Sequence, residues 1–172
     1  CSEKCRPHFF PATLNNGLNA IGLVRGSIGG DLNITDFRPL QLGDGAPNSL
    51  TVGGNLIARS LAGSGRLDPA CIGDSCIIVH GSIFAGGAIS LYSNDLYIAP
   101  STDPFPGKIA TALGNPLVNY VMWAPSTQGT SMILDDLANI GSFIQTPRLM
   151  FGDPGNLRAI GTLDWTALIA TP

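Results

Sequence analysis

The chain has 172 residues and a formal net charge of −3, and charged residues make up only 12% of it, about half the usual share. Its nine Lys and Arg residues are scattered without a run, so the sequence predicts no nucleic-acid partner, and no apolar stretch reaches the length of a membrane-spanning helix. Lysine occurs only at Lys4 and Lys108 and glutamate only at Glu3, which excludes a coiled coil or extended helical bundle, whereas 22 Gly and 13 Pro indicate a turn-rich chain of one domain.

We interpret residues 1–20 as an N-terminal arm that carries a disulfide, and residues 21–172 as a single domain. The cysteines occur in two close pairs, with three residues between the first two and four residues between the last two. An even number of paired cysteines is typical of an oxidising compartment, so we predict disulfides. The four cysteines are Cys1, Cys5, Cys71 and Cys76.

The connectivity of these cysteines stays open, because four cysteines allow three pairings. A structural zinc held by four thiolates is an alternative, since both spacings fall within the range that such sites tolerate. A chain that starts at Cys1 also fits the lipidated first residue of a mature bacterial lipoprotein.

Apolar residues alternate with polar ones over much of the chain between residues 28 and 91. Period-two alternation places side chains of one parity on the same face of a strand. Clusters of Gly, Asn, Asp, Ser and Pro separate these segments and indicate turns. The apolar parity includes Ile28, Leu32, Ile34, Leu50, Val52, Leu56, Ala58, Ile77, Val79, Ile83, Ala85, Ile89 and Leu91.

A glycine followed two positions later by Ile or Leu recurs along the chain at nearly even intervals, except that the last interval is almost double the others. Strands repeated roughly every 24–28 residues are typical of a parallel β-solenoid, in which a coil buries its inner face only when it stacks on its neighbours. We therefore predict an all-β parallel β-solenoid, with a β-sandwich or jelly roll as the alternative. The glycines of this series are Gly26, Gly54, Gly81, Gly107 and Gly155.

One segment departs from the strand pattern. Apolar residues at positions 133, 134, 137 and 140 follow helical spacing, and Asp135 and Asp136 would lie in the first turns, where the helix dipole favours acidic side chains. We predict one short helix near residues 131–140, which would cover a side or an end of the solenoid.

The reactive side chains are few and dispersed, so we assign no catalytic residue and expect no enzyme. The histidines, His8 and His80, have no evident partner in the sequence, and no nucleophile or phosphate-binding motif occurs. The alternative is a carbohydrate-active β-helix enzyme of the polysaccharide lyase or hydrolase kind, which would align acidic and basic side chains in one row. The candidates for that row are Arg25, Asp31, Asp36, Arg38 and Arg59.

Two binding roles follow from residues in or beside predicted turns. Calcium is the one cofactor that the sequence suggests, because Asp68, Asp74 and Asp95 place oxygen donors in loops. Tyr92 precedes the turn Ser93-Asn94-Asp95 and is the best candidate for stacking on a sugar ring.

The stretch from Gly26 to Ile98 resembles the glycine-spaced β-solenoid modules of bacterial surface proteins and of some pilus-associated minor pilins. The resemblance rests on Val52-Gly53-Gly54-Asn55-Leu56 and on residues 79–87. It implies an extracellular or cell-surface location and a structural or adhesive role. The expected partners are other copies of the chain, surface or pilus proteins, and polysaccharide.

Overall fold

The computed structural model describes residues 11–16, 18–45, 49–61, 75–126, 133–134 and 143–153, and the elements in these ranges are short β-strands. The strands in chain order are β1 (Ala12–Leu14), β2 (Leu23–Val24), β3 (Gly26–Ile28), β4 (Leu32–Asp36), β5 (Leu40–Leu42), β6 (Leu50–Val52), β7 (Leu56–Ser60), β8 (Cys76–Val79), β9 (Ser82–Ala85), β10 (Ile89–Tyr92), β11 (Asp95–Ile98), β12 (Lys108–Thr111), β13 (Val121–Ala124), β14 (Ile133–Leu134), β15 (Ile144–Gln145) and β16 (Leu149–Phe151).

The strands form three parallel sheets, which we call A, B and C. Sheet A has the order β1-β4-β7-β10-β13-β16, sheet B the order β2-β5-β8-β11-β14, and sheet C the order β3-β6-β9-β12-β15. Every third strand along the chain therefore returns to the same sheet beside its predecessor. This topology confirms the predicted parallel β-solenoid and excludes the sandwich alternative, whose sheets are antiparallel.

The core runs through the centre of the solenoid and consists of the apolar parity that the sequence predicts. Rows of aliphatic side chains from successive coils stack on one another, as in Leu32, Leu56 and Ile89 of sheet A. Ile83 and Leu91 are 1% exposed, and Ile77 and Val79 are fully buried. Full burial of one such side chain contributes about 1.5–3 kcal/mol, so these rows hold the coils together.

The coil length varies more widely than the sequence indicates. Along sheet A, Leu32 pairs with Leu56 and Leu56 pairs with Ile89, so the second of these two coils is clearly longer than the first. The variation lies in the connections, because loops outside the ladder change length without disturbing strand pairing.

The glycine series that indicates the solenoid does not mark one structural position. Gly81 and Gly107 are equivalent, since each precedes a neighbouring strand of sheet C and the Lys108 N–H donates to the Gly81 carbonyl over 2.9 Å. Gly26, however, pairs with Leu50 within sheet C, and Gly54 lies at the corner before sheet A. Gly155 lies outside the described residues.

The equivalent glycines are instead pairs at the corner that leads into sheet A. Gly29-Gly30, Gly53-Gly54 and Gly86-Gly87 precede β4, β7 and β10 and stack in successive coils. The N–H of Gly54 donates to the Gly30 carbonyl over 3.0 Å, and that of Gly87 to the Gly54 carbonyl over 2.9 Å. A Cβ at Gly53 or Gly86 would overlap the carbonyl oxygen of the coil before it, so the corner needs glycine for close approach.

Two segments differ from the sequence interpretation. The helix predicted over residues 131–140 is wrong at Ile133–Leu134, which form β14 and pair in parallel with Asp95 and Leu96. Pairing with β11 favours a strand at these two residues, although the apolar spacing around them favours a helix. The rest of that segment lies outside the described residues.

Residues 12–14, which the sequence places in the N-terminal arm, form β1 and pair with β4.

Within the described part of the chain, we find no helix with the length and apolarity that crossing a bilayer requires.

Candidate functional site

The outer face of sheet A presents aligned side chains from successive coils. Residues that alternate with the core rows point outward, and the strand register places Thr13 beside Asn33, Asn33 beside Ile57, and Ile57 beside Ser90. We call Thr13, Asn33, Ile57 and Ser90 the middle row. A second row lies one position before each strand, at the glycine corner. This corner row consists of Pro11, Asp31, Asn55, Ala88 and Tyr120.

The corner row and the middle row together line a cleft of about 410 Å³ on sheet A. Five coils contribute to it, and six of the nine side chains in the two rows carry a hydroxyl, amide or carboxylate group. Thr13, Asp31 and Asn55 are exposed, whereas Ser90 at the floor is 7% exposed. The volume lies within the range of about 300–1,000 Å³ that is usual for ligand pockets.

Hydrogen bonds between coils fix the corner row. The Asp31 Oδ1 accepts from the backbone N–H of Asn55 over 2.7 Å and from its Nδ2 over 3.2 Å. The Asn55 Oδ1 in turn accepts from the N–H of Ala88 over 2.9 Å. Each polar side chain thus satisfies the backbone of the next coil, so the cleft wall is rigid before any ligand arrives.

A guanidinium group lies beside the middle row. Arg59 is in β7, and its Nη1 donates to the Asn33 Oδ1 over 3.1 Å. Its Cζ lies 4.6 Å from the centroid of the Tyr92 ring, a cation–π arrangement. Among the described residues Arg59 makes no ion pair, and the exposed Asp31 carboxylate lies on the other side of Asn33 along the strand direction. Asp31 therefore contributes a carboxylate to the cleft lining, and Arg59 contacts that lining through its hydrogen bond to Asn33.

Tyr92 is not the exposed stacking platform that the sequence predicts. It is 5% exposed, its hydroxyl donates to the Asp153 Oδ2 over 2.7 Å, and Arg59 lies over its ring. Tyr92 packs with Met122 and Ala124, in an apolar part of the outer face of sheet A. The position of Tyr92 next to a turn predicts exposure, but Arg59 and Asp153 contact its side chain on the outer face of sheet A.

The acidic and basic residues proposed for an enzyme row do not lie in one row. Arg25 forms an ion pair with Asp44, and Arg38 donates from Nη2 to the Ala20 carbonyl over 3.2 Å. Asp36 is fully buried and accepts three backbone N–H groups at a corner. Asp31 lines the sheet A cleft, and Arg59 donates a hydrogen bond to Asn33 of the middle row. The chain returns to these positions in different sheets and corners, so the predicted linear cluster does not form.

The structure describes only some of the residues predicted for the calcium site and for the disulfides. Of the calcium candidates, Asp95 is fully buried in β11, and Asp68 and Asp74 lie outside the described residues. No cluster of three His, Cys, Asp or Glu side chains suited to a metal occurs among the described residues. Cys76 begins β8 and is fully buried, while Cys1, Cys5 and Cys71 lie outside the described residues. The connectivity of the four cysteines stays a prediction.

Sequence reasoning missed most of the cleft. It singles out Asp31 for a different role, and it does not single out Thr13, Asn55 or Tyr120. A signal for part of the set exists, because Asp31 and Asn55 each directly follow a Gly-Gly pair. Tyr120 follows Asn119 instead, whose Nδ2 donates to the Gly86 carbonyl over 2.8 Å.

A scan against protein-family models, a search of curated proteins and a search of solved structures each returned no match for this chain.

Proposed function

We propose that the chain is a structural or adhesive module of the cell surface or extracellular space, that it carries out no catalysis, and that the sheet A cleft binds saccharides. The observation that carries the proposal is the alignment of the corner row and the middle row in one cleft. Saccharides are recognised by fixed arrays of hydroxyl, amide and carboxylate groups, with apolar surface for the faces of the rings. Asp31, Asn33 and Asn55 supply the polar groups, and Ile57 and Tyr120 supply the apolar surface.

The spacing of the solenoid supports an extended ligand. Neighbouring strands lie about 4.7–4.9 Å apart, which is close to the length of one pyranose in an extended chain. A saccharide that runs along the solenoid axis therefore meets an equivalent position on each coil it crosses. Thr13, Asn33, Ile57 and Ser90 are four such positions in register. Repeated weak contacts of this kind give avidity without a deep pocket.

An oxidising location is supported by Cys76. Its side chain is fully buried at the start of β8, and with Cys71 it forms one of the two close cysteine pairs that predict disulfides. Disulfides persist in extracellular and periplasmic compartments and are rare in the reducing cytosol. The resemblance of residues 26–98 to surface and minor-pilin modules points in the same direction. Partners drawn from other copies of the chain or from pilus proteins belong to this proposal.

The absence of catalysis is part of the proposal because the enzyme candidates have structural partners. General acid–base chemistry needs a titratable group within hydrogen-bonding reach of the reacting atoms. Asp36 is committed to three backbone N–H groups, and Arg25 is committed to Asp44. Among the residues that the structure describes, the cleft presents one carboxylate, that of Asp31, and its Oδ1 accepts from Asn55.

The test compares two pairs of substitutions on different faces of the solenoid. The cleft variant combines Thr13→Ala with Asn33→Ala, and the control combines Thr51→Ala with Ser27→Ala on the outer face of sheet C. Binding to immobilised neutral and acidic polysaccharides is measured for the wild type and both variants. Loss of two hydrogen bonds of about 1 kcal/mol each predicts an affinity at least about tenfold lower for the cleft variant alone.

Two results would overturn the proposal. If binding falls equally in the cleft variant and in the sheet C control, the sheet A cleft is not the binding site. If the wild type binds none of the polysaccharides, saccharide binding is not the function. The same mixtures are followed for new reducing ends and unsaturated products. Turnover that survives purification and disappears on Asp31→Asn would establish the enzyme alternative.

A further inference from the structure

A second cavity of about 360 Å³ lies on the other side of the solenoid, where sheet B passes into sheet C. Its base is formed where the chain enters β9 and β12, at the equivalent residues Gly81 and Gly107. Phe105 and Phe143 supply its aromatic lining, and Lys108, Ser82 and Ser101 supply polar side chains. In the described part of the chain, this cavity shares no lining residue with the sheet A cleft, so a ligand bound here does not depend on the proposed saccharide site.

Phe105 is held in place without being buried. Gly45 has a φ of +87°, and a Cβ there would lie 2.8 Å from the Phe105 Cδ2, so the ring rests directly on the Gly45 backbone. The Phe105 N–H donates to the Asp103 Oδ1 over 2.8 Å, and its carbonyl accepts from the Gly81 N–H over 3.2 Å. Even so, 49% of Phe105 is exposed. A fixed and exposed aromatic ring is a stacking surface whose ordering cost is already met.

Lys108 supplies a positive charge at this cavity. Its backbone N–H is fixed by the Gly81 carbonyl at 2.9 Å, while its side chain is exposed. Among the described residues its ammonium group makes no ion pair, and no acidic side chain lines the cavity there. Ser82 pairs with Lys108 in the sheet C ladder and also lines the cavity.

We propose that this cavity binds a small aromatic carboxylate. The ring of the ligand stacks on Phe105 and contacts Phe143, and its carboxylate accepts charge-assisted hydrogen bonds from the Lys108 ammonium and the Ser82 hydroxyl. A neutral ligand of the same shape loses the charge-assisted bond, and a cationic ligand is repelled by Lys108. The cavity volume falls in the range of about 300–1,000 Å³ that is usual for small-molecule sites, which accommodates one ring and a short acidic arm.

The probe pair is phenylacetate and its neutral amide, phenylacetamide, titrated into the full chain at millimolar concentrations and physiological salt. Binding is followed by ligand-observed NMR and by calorimetry. The proposal expects phenylacetate to bind more tightly than phenylacetamide. Lys108→Gln should weaken phenylacetate about tenfold, as loss of one charge-assisted hydrogen bond predicts, and leave phenylacetamide unchanged.

Two further variants separate the cavity from nonspecific charge and from misfolding. Arg148→Gln removes an exposed cation from the turn before β16 and should not change either affinity. Phe105→Leu keeps an apolar side chain but removes the ring, so both probes should weaken together. The proposal is overturned if wild type shows no saturable binding of phenylacetate, if the two probes bind equally, or if Lys108→Gln and Arg148→Gln have the same effect. Circular dichroism melts confirm that each variant is folded.

Discussion

The α-carbon of Gly53 lies against the carbonyl oxygen of Gly29 in the preceding coil, so closely that a Cβ at position 53 would overlap that oxygen. The Gly53 N–H also donates to the Ile28 carbonyl over 2.7 Å. The distance between coils at this corner is therefore set by backbone contact alone. Gly86 repeats the same contact on Gly53, which makes the corner a continuous column.

Gly53→Ala is expected to destabilise the chain because two backbones must separate to admit the methyl group. Overpacking of this kind costs about 1–3 kcal/mol, and the rigid oxygen places Gly53 at the upper end. Gly114→Ala is the matched control, since its Cβ would meet a side-chain atom, the Asn119 Oδ1 at 2.9 Å, and no backbone atom of the described residues within 4 Å. Urea unfolding measures both changes. Equal losses of stability would show that the corner tolerates a wider spacing.

The register of sheet C gives a second prediction. Ile83 is 1% exposed in the core, and Ser82 beside it faces outward and is half-buried. Ile83→Ala should cost about 2–5 kcal/mol, because it removes buried methyl groups and leaves a cavity. Ser82→Ala should stay within about 0.5 kcal/mol, as for surface sites without special contacts. A cost at Ser82 as large as that at Ile83 in the same denaturant series would contradict the register.

The inner face is predictable from the sequence because burial imposes a strict period of two. The residues from Ile77 to Leu91 that the alternation assigns to the apolar parity all lie in the core. The coil boundaries are not predictable from the glycine intervals, because glycines from different corners fall into one numerical series. Gly54 stacks on Gly30 of the preceding coil, whereas Gly26 and Gly54 occupy different positions in their coils, so the interval between them has no structural meaning.

The binding surfaces are less accessible to sequence reasoning than the core. The outward side chains that lie in register are not evenly spaced in the sequence, because the coils that separate them differ in length. The middle row of Thr13, Asn33, Ile57 and Ser90 is an example. The sequence also predicts an exposed Tyr92, because this residue lies beside a turn. In the fold, Tyr92 is 5% exposed and Arg59 lies over its ring. The physical reason is that loop length and face coverage are tertiary properties, which local patterns do not encode.

Asp36 gives a third prediction, at the corner that follows β4. Its fully buried carboxylate accepts backbone N–H groups from Ile21 at 2.6 Å, Gly22 at 3.0 Å and Arg38 at 2.9 Å. Asp36→Ala leaves these donors without their acceptor, and each unsatisfied buried donor costs about 1–3 kcal/mol. Asp31→Ala, which removes an exposed carboxylate, should cost less. If thermal melts rank the two variants in the opposite order, Asp36 does not hold this corner together.

The cysteines give a fourth prediction, which concerns the compartment. We expect Cys1, Cys5, Cys71 and Cys76 to be oxidised, because paired cysteines in a chain of this composition are typical of exported proteins. A thiol reagent should then detect no free thiols in protein that is denatured without reductant, and it should detect four thiols after reduction. Mass spectrometry of a non-reduced digest assigns the pairing. Four reactive thiols before reduction, or zinc bound in stoichiometric amount, would contradict the prediction.

The last prediction concerns Trp123, which is 1% exposed and is the largest fully buried side chain among the described residues. Its Nε1–H donates to the Ser93 carbonyl over 3.0 Å and to the Ser93 Oγ over 3.1 Å, which ties β13 to the turn after β10. Trp123→Phe keeps an aromatic ring but removes the donor and leaves a void, so it should cost at least about 2 kcal/mol. Ser93→Ala removes only the hydroxyl and keeps the carbonyl, so its cost should be about 1 kcal/mol. A double-mutant cycle measured by urea unfolding isolates the hydroxyl contact, and a coupling energy of zero would show that the carbonyl alone holds the indole.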